Sequence, residues 1–203
     1  MRVLAIESAT EACSVALFDN GECIDHFHEV IGRGHAESLV PAIANLPEKG
    51  RADRILVSLG PGSFTGVRIG LAAARALGLA WNADVLGYPT LALLAAQAPS
   101  GPVTVCMNGG HGEWFVQNFN THKCPEDEAR SLKPALAVTA CLHDVIAGDR
   151  AQDLAELLDR ETSAIGGLPD ARNALLVPSE LLSNGLTPTY GRAPDARLPE
   201  SAP

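Results

Sequence analysis

The order of the predicted secondary-structure elements restricts this chain to few folds. Short, mainly apolar runs predict three successive strands, and Asp19-Asn20-Gly21-Glu22 predicts a hairpin turn because Asn and Gly accept positive φ. The predicted elements are strands over residues 3–8, 13–18 and 23–29, a helix over 35–46, a strand over 54–59, a helix over 66–82, a strand over 84–87 and a helix over 90–97. Three antiparallel strands extended by two parallel ones predict a mixed five-stranded sheet in an α/β lobe of the ribonuclease-H or actin-like kind.

The second half of the chain gives weaker signals. Residues 102–107 and 113–120 predict two strands around the turn Asn108-Gly109-Gly110-His111-Gly112, residues 135–139 a third strand, and residues 152–159 a short helix. From residue 186 onward, prolines and few apolar residues predict an extended tail. We therefore expect an N-terminal lobe over residues 1–100 and a smaller, degenerate α/β lobe over residues 101–203.

Composition excludes several classes of protein. The net charge of −9 argues against a stand-alone nucleic-acid binder, which would need a basic face. The five cysteines contain no Cys-x-x-Cys pair, which favours a reduced, cytosolic chain. No apolar segment approaches the roughly 20 residues that span a bilayer, so we expect a soluble protein. The six histidines lack metal-ligand spacing, and there is no Gly-x-Ser-x-Gly nucleophile motif.

A glycine-rich turn, Gly60-Pro61-Gly62-Ser63-Phe64-Thr65-Gly66, joins a predicted strand to a predicted helix. Such a turn aims backbone N–H groups and the positive end of a helix dipole at a bound anion. It lacks the Lys-Ser/Thr pair of a Walker loop and the G-x-G-x-x-G spacing. The residues that would face a phosphate are Ser8, Thr10, Gly60, Gly62, Ser63, Thr65 and Gly66. The alternative is a tight structural turn, with Thr65 as the helix N-cap and glycines where a side chain would clash.

The helix predicted over residues 66–82 carries two rows of interest. The first has small residues at every fourth position: Gly66, Gly70, Ala74 and Gly78. Such a row permits close approach by a partner helix or by the protein's own sheet. The second row places apolar residues between arginines: Arg68, Leu71, Ala72, Arg75 and Leu79. This mixture is typical of a protein interface with a charged rim.

Three segments together resemble the TsaB (YeaZ) family. They read Val-Leu-Ala-Ile-Glu-Ser-Ala-Thr at residues 3–10, Arg-Gly-His-Ala-Glu-Ser-Leu-Val-Pro at 33–41 and Gly-Pro-Gly-Ser-Phe-Thr-Gly-Val-Arg-Ile-Gly at 60–70. The third is highly specific, and the strong match covers about the first hundred residues. Weaker similarity follows at residues 112–114 and 188–195, the latter near the family's C-terminal Tyr-x-Arg element.

The resemblance implies an actin-like (ASKHA) fold and a cytoplasmic bacterial subunit without catalytic residues of its own. In that family the paralogue TsaD transfers threonylcarbamoyl to N6 of adenosine 37 in tRNAs that read codons starting with A, and the ATPase TsaE joins the assembly. TsaB pairs with TsaD through a bundle of the helices that correspond to residues 35–46 and 66–82, and forms a homodimer when alone. The tRNA is met only through the complex.

The resemblance also implies which residues meet the partner. They are Arg33, His35, Leu39, Ile43, Arg68, Gly70, Leu71, Ala72, Ala74 and Arg75. On this reading Gly70→Trp would abolish the heterodimer and leave the monomer folded. No resident cofactor is expected, apart from a weakly held nucleotide at the subunit junction.

Several positions depart from the catalytic paralogue. Thr90 and Leu94 stand where that enzyme has two metal-binding histidines, so no metal site is expected. The reduced second half argues against a full nucleotide cleft between two matched lobes. Two rival functions remain at this stage: an actin-like phosphotransferase or ATPase that uses the Gly60 to Gly66 loop, and a metallopeptidase, which the missing histidine pair disfavours.

Overall fold

A computed structural model describes residues 1–191, and its first half follows the predicted element order. The 192–195 part of the C-terminal similarity and the rest of the predicted tail lie outside the described residues. The first sheet contains β1 (Arg2–Glu7), β2 (Ala12–Asp19), β3 (Glu22–Val30), β4 (Arg54–Ser58) and β5 (Asp84–Tyr88), and its helices are α1 (His35–Asn45), α2 (Phe64–Trp81) and α3 (Thr90–Gln97). The strand order is β3-β2-β1-β4-β5, antiparallel on the β3 side and parallel on the β5 side. The predicted mixed sheet is confirmed.

The second half repeats this topology with shorter elements. Its strands and helices are β6 (Val103–Gly110), β7 (Glu113–Phe119), β8 (Arg130–Leu132), α4 (Pro134–Ala140), β9 (Val145–Ala147), α5 (Ala151–Leu157) and β10 (Ser163–Ile165). The strand order β8-β7-β6-β9-β10, with two antiparallel and two parallel pairings, matches the first sheet strand for strand. The strand predicted over 135–139 is wrong, because Pro134 at the first helical turn and the following Ala-Leu-Ala begin α4.

Within residues 1–191 the hydrophobic core forms three clusters that separate the layers. Buried residues of α1 and α2 pack with one face of the first sheet. The α3 helix, buried along almost its whole length, shares a second cluster with residues of both sheets. The third cluster joins the outer face of the second sheet to α4 and α5. A helix that is apolar on all sides belongs at the centre of a fold, and α3 occupies that position.

The small-residue row of α2 packs against the protein's own sheet. A Cβ atom at Gly66 would lie 2.0 Å from the Ser8 carbonyl oxygen, and one at Gly70 would lie 2.4 Å from Ser8 Oγ. At Gly78 it would lie 2.4 Å from Val85 Cγ2. The row therefore permits close approach by the protein's own sheet and not by a partner helix. The expectation that Gly70→Trp leaves the monomer folded is wrong, because no space exists for a side chain there.

We expect Gly66→Ala to lower the free energy of unfolding by about 2 kcal/mol, although alanine favours a helix. The added Cβ meets backbone, which cannot rotate away. Thr65→Ala is the matched control at the neighbouring exposed helical position and should change the stability little. Urea denaturation of the two variants measures the difference, and equal stabilities would contradict the close packing of α2 on β1.

Candidate functional site

The glycine-rich turn is tied by hydrogen bonds to the turn that follows β1. The Ser63 N–H donates to the Ala9 carbonyl at 2.7 Å, and Ser8 Oγ donates to the Gly66 carbonyl at 2.9 Å. The Gly66 N–H donates to Ser63 Oγ at 3.2 Å, which makes Ser63 the N-cap of α2. The prediction of Thr65 as N-cap is therefore wrong: α2 begins two residues earlier than expected.

Two glycines of this turn are required by close contacts. A Cβ atom at Gly62 would lie 2.2 Å from the Ala9 carbonyl oxygen. Gly60 has a φ of +92°, and a Cβ atom there would lie 2.2 Å from the Thr189 carbonyl oxygen. The close contact at Gly62 lets the turn pack against the residues that follow β1. The close contact at Gly60 leaves space for the C-terminal segment to pass. These glycines thus have structural reasons that need no ligand.

A cleft of about 290 Å³ opens between the two sheets. Its walls include Thr10, Gly62 and Ser63 from the first half and the 107–110 stretch from the second. The β1–β2 and β6–β7 hairpins occupy matching positions in the two sheets, and both face this cleft. The expectation that the second half is too reduced for a full nucleotide cleft stays a prediction. Ser8, Gly60 and Gly66 are buried below the surface, and Thr65 is exposed outside the cleft.

The charged side chains that line the cleft are Glu11, Arg33 and Asp149. The Asp149 carboxylate accepts the Asn108 N–H at 3.0 Å, and burial raises the pKa of Asp149. Two carboxylates against one guanidinium are a poor lining for a polyphosphate, which binds where positive charge and free N–H donors converge. In the 1–191 range no group of three or more His, Cys, Asp or Glu side chains could hold a metal ion.

Glu7 is a buried acid that sequence reasoning did not single out. Its Oε1 accepts the Ala9 N–H at 2.7 Å, and its Oε2 lies 3.5 Å from the Tyr88 hydroxyl, which donates to the Ile6 carbonyl at 2.9 Å. Burial raises the pKa of Glu7 to about 7 despite these hydrogen bonds. The available signal was a lone carboxylate at the end of an apolar strand.

Six of the ten predicted interface residues are buried inside the protein. They are His35, Leu39, Ile43, Gly70, Leu71 and Ala74. They belong to the inward rows of α1 and α2, and the His35 ring nitrogen Nε2 lies 3.2 Å from the Ala12 carbonyl oxygen. Those six assignments are corrected, because residues that form the core present nothing to a partner. The remaining four, Arg33, Arg68, Ala72 and Arg75, are exposed.

Comparison with known proteins now identifies the family. Residues 27–153 match the family model described as "TsaD: tRNA N6-adenosine threonylcarbamoyltransferase". The chain is 41% identical over 103 residues to the tRNA threonylcarbamoyladenosine biosynthesis protein TsaB of Escherichia coli K12, which covers 48% of this chain and 44% of that protein. YeaZ from Pseudomonas aeruginosa superposes with a TM-score of 0.77 at 27% identity, over 93% of this chain and 99% of that one. This chain belongs to the TsaB (YeaZ) family.

Similarity to another relative extends along almost the whole chain. The Mycobacterium bovis protein Mb3455c is 30% identical over 210 residues, which cover 96% of this chain and 93% of that protein. By contrast, the match spans less than half the length of E. coli TsaB. The TsaB (YeaZ) structures carry the predicted actin-like α/β fold, which is confirmed. Between residues 1 and 191, no helix combines the length and apolar character needed to cross a bilayer.

The buried Glu7 should make stability depend on pH. Its pKa is about 7 in the folded protein against 4.5 ordinarily, so the folded state holds this proton more tightly. The free energy of unfolding should therefore be highest below pH 4.5 as far as Glu7 is concerned, and fall by roughly 3 kcal/mol as pH rises to about 7. Glu7→Gln should remove this fall.

Urea denaturation at several pH values between 5 and 8 measures the effect. Glu11→Gln makes the same change of charge at an exposed position in the adjacent turn and is the matched control. The Glu7→Gln curve should be shallower than those of the wild type and of this control. Parallel curves for the wild type and Glu7→Gln would contradict the assignment.

Proposed function

We propose that this protein is a non-catalytic subunit that docks onto and activates the enzyme that transfers threonylcarbamoyl to N6 of adenosine 37 in tRNAs reading codons that start with A. Relatives named TsaB are tRNA threonylcarbamoyladenosine biosynthesis proteins, and the TsaD-type transferase model matches more than half of this chain. The protein is thus built like the transferase that we propose as its partner. The outward surface of α1 and α2 is the observation that carries the proposal.

This surface, which we name the docking surface, consists of small and apolar residues on two adjacent helices. Its members are Ala36, Val40 and Ala44 on α1, and Ala72, Ala76, Leu79 and Ala80 on α2. The side chains of Val40 and Leu79 are 61% and 88% exposed. In each helix, members recur at every fourth position, the spacing at which ridges of two helices interlock. Exposed apolar side chains collected in one place are typical of a protein interface.

The kind of partner follows from the relationship between the two chains. Paralogous subunits with equivalent helices can pair across a pseudo-twofold axis, so that α1 and α2 meet their counterparts on the transferase. The same surface would pair with a second copy of this chain when the partner is absent. Within the assembly we place the ATPase TsaE as a further component, with tRNA met through the complex in the cytoplasm.

Several contacts support a role without catalysis. Thr90, at one of the paralogue's histidine positions, is fully buried with its Oγ1 2.6 Å from Ser58 Oγ, and Leu94, at the other, lies in the shared core. The cleft lining is biased towards carboxylates, and the Ser63 and Gly66 N–H groups are bonded within the protein. A nucleotide, if held, would lie weakly at the junction with the transferase. The rival phosphotransferase function requires binding of nucleotide by the isolated chain.

Replacing Ala76 with Trp should abolish the complex with the transferase and leave this protein folded. Ala76 is exposed at the middle of the docking surface, so the indole would hold the two helix pairs apart. Ala135→Trp, at an exposed alanine of α4 beside the second sheet, is the matched control and should bind normally. Size-exclusion chromatography with light scattering on the mixed subunits gives the answer, and an intact Ala76→Trp complex would refute this surface.

A reconstituted modification assay tests the proposed activity. The transferase should form threonylcarbamoyladenosine efficiently with the wild type and with Ala135→Trp, and poorly with Ala76→Trp or alone. Calorimetry of the isolated chain with ATP should show no binding. Turnover of a substrate by this protein without the transferase would overturn the non-catalytic role.

A further inference from the structure

The C-terminal segment, residues 183–191, crosses from the second half of the protein back to the first. Ser183 and Gly87 exchange both backbone hydrogen bonds, at 2.8 and 2.9 Å, and the Thr189 N–H donates to the Leu59 carbonyl at 2.7 Å. Gly60 lacks a side chain where the Thr189 carbonyl passes. The segment is therefore held by backbone contacts of its own and lies beside the start of α2.

Its end forms a small cluster with two residues of α2. The Arg68 guanidinium stacks on the Phe64 ring at 3.6 Å, and Arg68 Nε donates to the Tyr190 hydroxyl at 2.9 Å. The rings of Phe64 and Tyr190 lie 5.0 Å apart between centroids. Two turns further along α2, the Arg75 guanidinium donates to the Leu186 carbonyl at 2.7 Å. We name Phe64, Arg68 and Tyr190 the arginine cluster.

The arginine cluster lies on the outside of the protein, so its purpose is not to fill a core. Phe64 is 54% exposed, and Arg68 is exposed beside it. Cation–π contacts at exposed positions contribute little to the stability of the fold. The cluster restricts the conformation of the Arg68 side chain to a single position. Ordering this long side chain on binding would otherwise cost conformational entropy. That is useful where Arg68 meets another molecule.

The positive charge of Arg68 has no ion-pair partner within the part of the chain that the structure describes. No carboxylate there forms an ion pair with Arg68 or Arg75, whereas Arg54, Arg130 and Arg172 each have one. The phenol occupies Nε of Arg68, and its two Nη atoms have no hydrogen-bond acceptor among residues 1–191. Paired Nη donors in a fixed plane fit the two oxygens of a carboxylate.

We propose that Tyr190 is a positioning residue for the complex: it holds Arg68 so that the guanidinium receives a carboxylate of the paralogous transferase at the rim of the docking surface. This inference rests on the proposed function. The net charge of this chain is −9, so an acidic patch approaching at random is repelled. A fixed local cation beside an apolar surface gives the partner one favoured orientation.

The test is a double-mutant cycle on affinity for the transferase, measured by calorimetry at several salt concentrations. Tyr190→Phe keeps the ring and removes the acceptor, and Tyr190→Ala removes both. We expect Arg68→Ala and Tyr190→Ala each to weaken binding by roughly tenfold, within the range of couplings between contacting residues, and Tyr190→Phe by less. In the Arg68→Ala background, Tyr190→Ala should change the affinity by less than about twofold.

Salt dependence and stability separate positioning from a structural role. Arg68→Ala should flatten the salt dependence of the affinity because it removes the cation, and Tyr190→Ala should flatten it less, because the cation remains but is no longer held in place. Thr189→Ala, at an exposed side chain of the same segment, is the matched control and should bind like the wild type. An equal loss from Tyr190→Ala with and without Arg68 would mean a structural role and overturn the inference.

The two proposals fail in different ways. If the wild-type protein does not bind the transferase at all, the proposed function is wrong and the role of Tyr190 falls with it. If the wild type binds, and Tyr190→Ala binds equally well with the same salt dependence, only the inference about Tyr190 is overturned. If Arg68→Ala alone weakens binding, Arg68 acts without positioning by Tyr190, and the inference is again wrong.

Discussion

The contact between the beginning of α2 and the end of β1 is the one on which the other features depend. Gly66 lies against the Ser8 carbonyl so closely that no Cβ atom fits, and hydrogen bonds from Ser8 and Ser63 fasten the two turns together. This seating fixes the rotation of α2. It turns the glycine row towards the sheet, sends Ala72 and Ala76 outwards, and brings Gly62 and Ser63 to the edge of the cleft.

The fold thus has two surfaces on which function can develop, and their chemistry differs. The cleft between the sheets has the position of a ligand site. However, backbone N–H groups of its turns donate to acceptors within the protein, and its charged lining is mainly acidic. The outer surface of α1 and α2 is small, apolar and bordered by arginines without ion-pair partners in the described chain. The balance of these features favours recognition over chemistry.

Sequence patterns predicted the first half well because β1, β2 and β4 are continuous apolar runs and its helices are long enough to show periodicity. In the second half β8, β9 and β10 have only three residues each, too few for an alternating pattern to stand out. The inward row of α2 was ambiguous for a different reason. Small residues at every fourth position suit a sheet and a partner helix equally, and only the positions of Ser8 after β1 and of Val85 in β5 decide between them.

Contacts between residues far apart in the sequence could not be predicted from the sequence either. Arg68 and Tyr190 are separated by 122 positions, and nothing in the local sequence of either residue announces the hydrogen bond between them. The same holds for Gly60, whose lack of a side chain is explained by the passage of Thr189. The sequence motif drew attention to both Arg68 and Gly60. The contacts that explain them are made by the C-terminal segment, whose path the sequence does not show.

The position of α3 has a consequence for how the molecule is assembled. Because both sheets share this helix as a common filling, each half on its own would leave one side of α3 bare to water. The two halves are therefore expected to unfold together in a single transition, although each has the complete strand order of a lobe. Cutting the chain after α3 should yield two aggregation-prone fragments that refold only when they are mixed.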